Sequence, residues 1–207
     1  MVNKIKKRTQ KKIWDSAIEE FSTYGFGGAR VDRIAQQAGV NKALFFYYFS
    51  SKENLYQLII KDAVKGLIQK IQNVLEQAKT PERFYEIMPE AFIRYFSQKQ
   101  YLPRMILLEL VQNPDSITSL IRDIFASTPN PPPEDVKSLL AQWSREGKIT
   151  ESDPVQFIMN IIPVSLFWLI GSPMVESVLD VKIEINEAFI QKRIQSVTNL
   201  LKRGMLK

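Results

Sequence analysis

The sequence predicts an all-α protein, with a small N-terminal domain followed by a larger helical one. Helix start and stop signals recur along the chain, and apolar residues recur every three or four positions between them. Strand signals are few, because the one alternating stretch, residues 181–185, has no second strand to pair with. The 207 residues are 45 % hydrophobic and 24 % charged, which is enough apolar side chain to bury a core.

Three helices are predicted in the first fifty residues. The first covers residues 6–24 and carries one apolar stripe, and Gly25 stops it because glycine adopts the left-handed conformation without steric cost. Two short helices over residues 31–38 and 42–48 flank a tight turn at residues 39–40. Two short helices around a glycine-containing turn are typical of a helix-turn-helix.

A fourth, long helix is predicted from the Ser50-Ser51-Lys52-Glu53 segment to about Ala78, with Ser50 and Glu53 forming a capping box. We place the domain boundary there, with a helix-turn-helix domain over residues 1–50 and a helical effector-binding and dimerisation domain over residues 51–207. No flexible linker separates them, since the fourth helix begins at once.

The second domain shows further helix starts of one kind, an N-capping side chain followed by proline at the first helical position. A proline run forms a stiff connector before another helix, and an asparagine opens the last one, which ends at a glycine. These signals are Thr80-Pro81, Asn113-Pro114, Asp153-Pro154, Pro131-Pro132-Pro133, and Asn186 with Gly204.

The net charge of +6 is confined to the first quarter of the chain. Residues 1–52 hold ten basic and four acidic residues, whereas residues 53–207 hold eighteen of each. A localised basic patch is the electrostatic signature of a polyanion binder, although a solvated basic tail would give the same count. The basic stretch from Lys4 to Lys12 is a candidate for contact with a nucleic-acid backbone.

The chain has no cysteine and no histidine. Thiolate chemistry is therefore excluded, and the commonest general base and the commonest metal ligand are missing. We find no glycine-rich phosphate loop, no metal-ligand cluster and no nucleophile beside a base. We therefore expect no enzyme, no metal and no cofactor. The longest apolar stretch, residues 157–170, is too short to span a bilayer, so we expect no membrane association and a cytoplasmic protein.

The third helix is predicted to enter the major groove of double-stranded DNA with its N-terminus first. Asn41, Lys42 and Ala43 would then lie nearest the base edges, since lysine pairs with guanine and asparagine with adenine. Asn41 is equally suited to a mere helix cap. Tyr47, preferred over Tyr48, would bond a phosphate through its hydroxyl, and Lys52 would add a second phosphate contact.

One continuous segment resembles the DNA-binding domain of the TetR (tetracycline-repressor) family. It runs from Ile34-Ala35 through Ala38-Gly39-Val40 and Tyr47-Tyr48-Phe49 to Ser50-Ser51-Lys52-Glu53-Asn54-Leu55, and the resemblance covers about residues 8–56. It implies a ligand-responsive repressor that binds a palindromic operator as a homodimer. The rest of the chain is similar only in being helical and of suitable length.

Two residues depart from the family pattern. Arg30 stands where many members have a capping threonine or serine, so it would instead reach a phosphate. Leu44 stands where a small residue is usual, and it would contact a thymine methyl or pack against the protein. The operator sequence therefore cannot be carried over.

The resemblance also implies a small, largely apolar effector in the second domain, and dimerisation through the last two helices, here residues 154–170 and 186–203. Its candidate lining is a set of aromatic and methionine residues, for each of which plain hydrophobic core is the competing interpretation. The set is Met88, Phe92, Tyr95, Phe96, Met105, Trp143, Phe167 and Trp168. The alternative function is a helical protein-interaction module with a vestigial helix-turn-helix, and an enzyme is a more distant one.

Overall fold

The computed structural model describes residues 2–129 and 131–207, without the side chains of residues 2–5 and 133. The side chain of Lys4, part of the candidate basic stretch, lies outside the described residues. The described part is all-α, as predicted, and contains eleven helices: α1 (Val2–Gly28), α2 (Val31–Ala38), α3 (Lys42–Phe49), α4 (Lys52–Gln77), α5 (Pro81–Gln98), α6 (Tyr101–Gln112), α7 (Pro114–Ala126), α8 (Pro132–Arg145), α9 (Pro154–Leu166), α10 (Trp168–Leu179) and α11 (Glu187–Met205).

The helices form two compact units. The first runs to Val64 and includes Tyr101–Phe125, and the second holds Lys65–Gln100 and Ala126–Lys207. The unit that contains the helix-turn-helix is thus larger than the predicted domain of residues 1–50, because it also takes in half of α4 and two later helices. That domain boundary stays a prediction.

In the first unit, α1 packs against α2 and α6. Its buried stripe contains Ile13, Ala17 and Phe21, which recur at the spacing of one helix face. The regular helix breaks at Gly25, as predicted, because that glycine has φ 68° and ψ 177°. One further turn then leads to Gly28.

In the second unit, α5 packs against α11 and α9. Phe84 lies at the centre of an aromatic core, with its ring centroid 5.6 Å from that of Trp143 and 5.7 Å from that of Phe157. Three of the predicted N-caps are confirmed, each accepting a hydrogen bond from a backbone N–H of the first turn: Thr80, Asp153 and Asn186.

Two sequence-based expectations were wrong in detail. The cap of α4 is Ser51, whose hydroxyl accepts from the N–H of Asn54 at 3.0 Å, because Ser50 takes a positive φ of 62° that ends α3 instead. The apolar segment 154–170 is not one helix, since it breaks at Phe167 into α9 and α10, which meet at 56°.

The described helices differ in length and in mean hydropathy. None of them alone combines the length and the hydropathy that crossing a bilayer requires, and the bent pair α9 and α10 meets both criteria only when taken together.

Candidate nucleic-acid interface

The predicted helix-turn-helix is present as α2 and α3. Gly39 takes the left-handed conformation, with φ 66° and ψ 37°, and its N–H donates to the carbonyl of Gln36. The N–H of Val40 then donates to the carbonyl of Ala35 at 3.0 Å. Ala35 and Ala38 are buried, so the small side chains allow the close helix crossing that the sequence indicated.

Helix α3 has one buried and one exposed face. Phe45 and Phe49 are buried and anchor the helix in the first unit. The predicted base-reading residues all lie at its exposed N-terminal end, so the structure brings them together on one surface: Asn41, Lys42, Ala43 and Leu44. Their contact with bases stays a prediction.

Asn41 has a defined structural role. Its side-chain Oδ1 accepts a hydrogen bond from the N–H of Leu44 at 2.8 Å, which is the geometry of an N-cap. The capping half of the expectation is therefore confirmed, and any base contact would have to be made by the same side chain.

The two basic side chains of the prediction have different surroundings. Lys42 forms an exposed ion pair with Asp32, with Nζ 2.9 Å from Oδ1, and a phosphate would replace that carboxylate without burying charge. Lys52 is part-buried, and its ammonium donates to the carbonyls of Phe26 at 2.7 Å and Ala29 at 3.0 Å. It also lies 4.4 Å from the Phe26 ring centroid. Lys52 thus ties the end of α1 to the start of α2.

The two tyrosines at the C-terminal end of α3 differ in solvent exposure, as expected. Tyr47 is 67 % exposed, whereas Tyr48 is half-buried, and the two rings meet edge to face with centroids 5.1 Å apart. The phenol of Tyr47 is therefore free to approach a phosphate.

A buried carboxylate that sequence reasoning missed organises this surface. Glu20 on α1 is 4 % exposed, and its Oε1 accepts from the Arg33 Nε at 2.7 Å and from the backbone N–H of Arg30 at 2.8 Å. Arg30, the N-cap residue of α2, makes no side-chain capping bond, and its own N–H is satisfied by Glu20 from another helix. The hydrogen bond to Glu20 raises the pKa of Arg33 above its usual value.

Arg33 completes the connection. Its Nη2 donates to the carbonyl of Gly28 at 2.7 Å, and its guanidinium lies 4.3 Å from the centroid of the Tyr24 ring. The sequence signal that could have revealed Glu20 was periodicity, because Glu20 falls on the apolar stripe of α1 that contains Ala17 and Phe21. A carboxylate on an apolar stripe needs a cationic partner.

The candidate effector-lining residues lie in closed packing, with one exception. Met105 is buried in the first unit, and six others are buried in the second: Met88, Phe92, Tyr95, Phe96, Trp143 and Trp168. Phe167 is 56 % exposed, and with Trp168 it lines an open cleft among α9, α10 and α11. Their role in ligand binding stays a prediction.

Among the described residues, no group of three or more histidine, cysteine, aspartate or glutamate side chains is placed to hold a metal ion.

Comparisons with known proteins agree with this geometry. Residues 13–59 match the family described as bacterial regulatory proteins, tetR family. The HTH-type transcriptional regulator RutR of Escherichia coli K12 is 27 % identical over 205 residues, covering 95 % of this chain and 90 % of RutR. The negative transcriptional regulator IcaR of Staphylococcus aureus Newman is 37 % identical over 65 residues, or 30 % of this chain and 35 % of IcaR.

Solved structures show the same fold. A putative fatty acid metabolism regulator of Clostridium perfringens superposes with a TM-score of 0.68 at 19 % identity, covering 92 % of this chain and 95 % of the other. The regulator FadR of Bacillus subtilis, in complex with stearoyl-CoA, gives 0.65 at 19 % identity, covering 93 % and 97 %.

Proposed function

We propose that this DNA-binding transcriptional regulator, which is similar to bacterial regulatory proteins of the TetR family, is a ligand-responsive repressor that binds a palindromic operator as a homodimer. The observation that carries the proposal is the surface at the N-terminal end of α3. It is exposed, it lies in the quarter of the chain that holds the whole net charge, and its support is buried. Since its target is chromosomal DNA, we place the protein in the cytoplasm.

On this proposal, Asn41, Lys42 and Leu44 approach base edges while Tyr47 and Arg30 contact phosphates. Lys42 exchanges its exposed partner Asp32 for DNA, which costs little because both groups are solvated. The Lys52 ammonium donates to two carbonyls in the free protein, so one of its three N–H donors is left for a phosphate contact.

An unpartnered apolar stripe supports a homodimer. It lies along α9, with members spaced three and four residues apart, and all are exposed: Val155, Ile158, Met159 and Ile162. The main stripe of α11 is buried within its own unit, at Ile194, Val197 and Leu201, so Leu200 remains as its large exposed apolar residue. A homodimer paired through these stripes would bind a palindromic site by presenting two recognition helices to half-sites about 34 Å apart, one turn of B-DNA.

Release of DNA follows from ligand preference. A ligand lowers operator affinity only if it binds the non-binding arrangement more tightly, and DNA must then weaken ligand binding by the same factor. Helix α4 runs continuously from Lys52 to Gln77 and contributes to both units, so a displacement of its second half is carried into the first unit by the chain itself.

The proposal is tested by fluorescence anisotropy with the DNA upstream of the protein's own and neighbouring genes, against a shuffled duplex of equal composition. We expect tighter binding to one upstream duplex and a steep fall in affinity with rising salt. Binding that is absent at low salt on every duplex would contradict the proposal and favour a protein-interaction module.

A further inference from the structure

The second unit contains an open cleft of about 610 Å³ bounded by α9, α10 and α11. This volume lies in the range of small-molecule sites. Most of its lining is apolar, and the aromatic part comes from Phe167, Trp168 and Phe189. Gly171 allows the Phe167 ring to pack against the backbone of α10, since a Cβ there would lie 2.8 Å from that ring.

The polar part of the cleft carries one sign of charge. Its ionisable lining residues are Lys192 and Arg193, and none of its described lining residues is acidic. The remaining polar side chains are the hydroxyls of Ser172 and Ser196. The cleft therefore combines a mostly apolar lining with two cationic side chains and, among its described lining residues, no anionic one.

Arg193 is the basic lining residue whose hydrogen bonds are incomplete among the described residues. A guanidinium has five N–H donors, and one acceptor is supplied to it by the protein, the carbonyl of Val164 at 2.6 Å from Nη2. Its Nε is buried without a partner among the described residues. Burial lowers the pKa of Arg193, and a half-buried cation without an anion is costly unless a ligand supplies one.

We propose that this cleft binds a small amphipathic carboxylate, with its apolar tail along Phe167, Trp168 and Phe189 and its carboxylate on Arg193. Lys192 supports the head by charge alone. The inference rests on the proposed function, because it gives the chemical class of the effector of the repressor. The anionic head is chosen by charge complementarity, since a neutral oxygen could accept from Arg193 but would leave the positive charge without a counter-charge.

A set of probes with one tail and three heads tests the head group. Isothermal titration calorimetry on the full chain compares decanoate, decanol and decylamine. We expect decanoate to bind at least about tenfold more tightly than decanol, as for a charge-assisted hydrogen bond, and decylamine to bind more weakly than either. Equal affinity for decanoate and decanol, or no binding of any probe, would overturn the proposal.

Substitutions in the cleft test whether the probes bind at Arg193. Arg193→Met should reduce the affinity for decanoate to that for decanol. Arg193→Lys keeps a cation and a donor for the Val164 carbonyl, so it should retain part of the preference for decanoate over decanol and controls for a loss of packing. Ser196→Trp should fill the cleft and abolish binding of both probes. The matched control is Arg203→Met, at an exposed arginine of the same helix. An equal effect of the Arg193→Met and Arg203→Met substitutions would place the probe elsewhere.

Two further measurements distinguish a ligand from a second copy of the chain in the cleft, and the ligand site from the proposed repressor function. If Arg193→Met or Ser196→Trp converts a ligand-free dimer to a monomer in sedimentation velocity, a second copy fills the cleft and the proposal fails. Operator binding of the ligand-free chain tests the proposed function independently. If decanoate binds at Arg193 but DNA binding does not depend on salt, the repressor function is wrong and the ligand site stands. If DNA binding depends on salt but decanoate does not bind at Arg193, only the ligand site is wrong.

Discussion

The carboxylate of Glu20 on α1 lies 2.5 Å from the Nη2 of Arg33 on α2, and the same oxygen accepts from the Arg33 Nε. Since Glu20 is buried, this pair fixes the angle at which the helix-turn-helix leaves α1. The arginine in turn holds the carbonyl of Gly28, so three backbone segments meet at one charge pair.

Replacement of Glu20 by alanine is expected to lower the free energy of unfolding by about 2 kcal/mol, because it leaves the Arg33 guanidinium without its anionic partner and the Arg30 N–H without an acceptor. Urea denaturation measures the change. The control is Asp15→Ala, which removes an exposed ion pair with Lys11 on the same helix and should cost under about 0.5 kcal/mol. Equal costs would show that the buried pair adds nothing.

Two substitutions at Asn41 separate its capping role from base reading. Asn41→Ser keeps a capping oxygen but loses the amide, so we expect an unchanged Tm and weaker discrimination between operator and shuffled DNA. Asn41→Ala should lower both Tm and operator affinity. If Asn41→Ser binds and discriminates like the parent chain, Asn41 is a cap and not a reader.

Lys42 and Lys52 should differ in their salt dependence. Lys42→Met is expected to leave Tm unchanged, to weaken discrimination between operator and shuffled DNA, and to reduce the slope of log affinity against log salt by about one, because one cation is lost from the DNA interface. Lys52→Met should lower Tm, because the carbonyls of Phe26 and Ala29 lose their donor, and weaken DNA binding with little change in slope. A slope change equal to that of Lys42→Met would identify Lys52 as a phosphate ligand.

A charge on the α9 stripe should prevent self-association. Ile162→Glu is expected to give a monomer in sedimentation velocity and to lose most affinity for a palindromic operator, because a carboxylate would be buried between two apolar faces. Val111→Glu, at a more exposed position on α6, adds the same charge away from the stripe and should leave the dimer intact. A dimer that survives Ile162→Glu would place the interface elsewhere.

The link between α5 and α11 should weaken in acid. Glu86 accepts from the Lys202 ammonium at 2.9 Å and from Arg83 at 3.2 Å, and these hydrogen bonds, that of Lys202 first, lower the pKa of its carboxyl. A lowered folded-state pKa contributes stability that is present above the unfolded value of about 4.5 and is lost as pH falls below it.

Glu86→Gln should therefore flatten the acid side of the stability curve, measured by urea unfolding between about pH 6 and pH 3. Glu134→Gln is the comparison, since Glu134 pairs with Lys137 within one helix and joins no second element. A curve for Glu86→Gln that falls as steeply as that of the parent chain would contradict the assignment.

Local sequence signals were sufficient for the helix-turn-helix and for most helix starts. Gly25 and Gly39 mark their turns because few other residues take those conformations, and Thr80, Asp153 and Asn186 cap helices through hydrogen bonds spanning two or three residues. Such signals fail where two local solutions compete, as at Ser50 and Ser51, since either serine could have begun α4.

The sequence by itself determined the all-α class, the recognition helix and the place of the net charge, because these depend on periodicity and on residues near each other in the chain. Only the tertiary structure decided that Glu20 meets Arg33, that Lys52 is held by α1, and that Arg193 lies half-buried in the lining of a mostly apolar cleft. Those relationships join residues 13, 26 and 29 positions apart in the chain. Composition and local pattern carry no information on such distances, which are fixed by the packing of one helix on another.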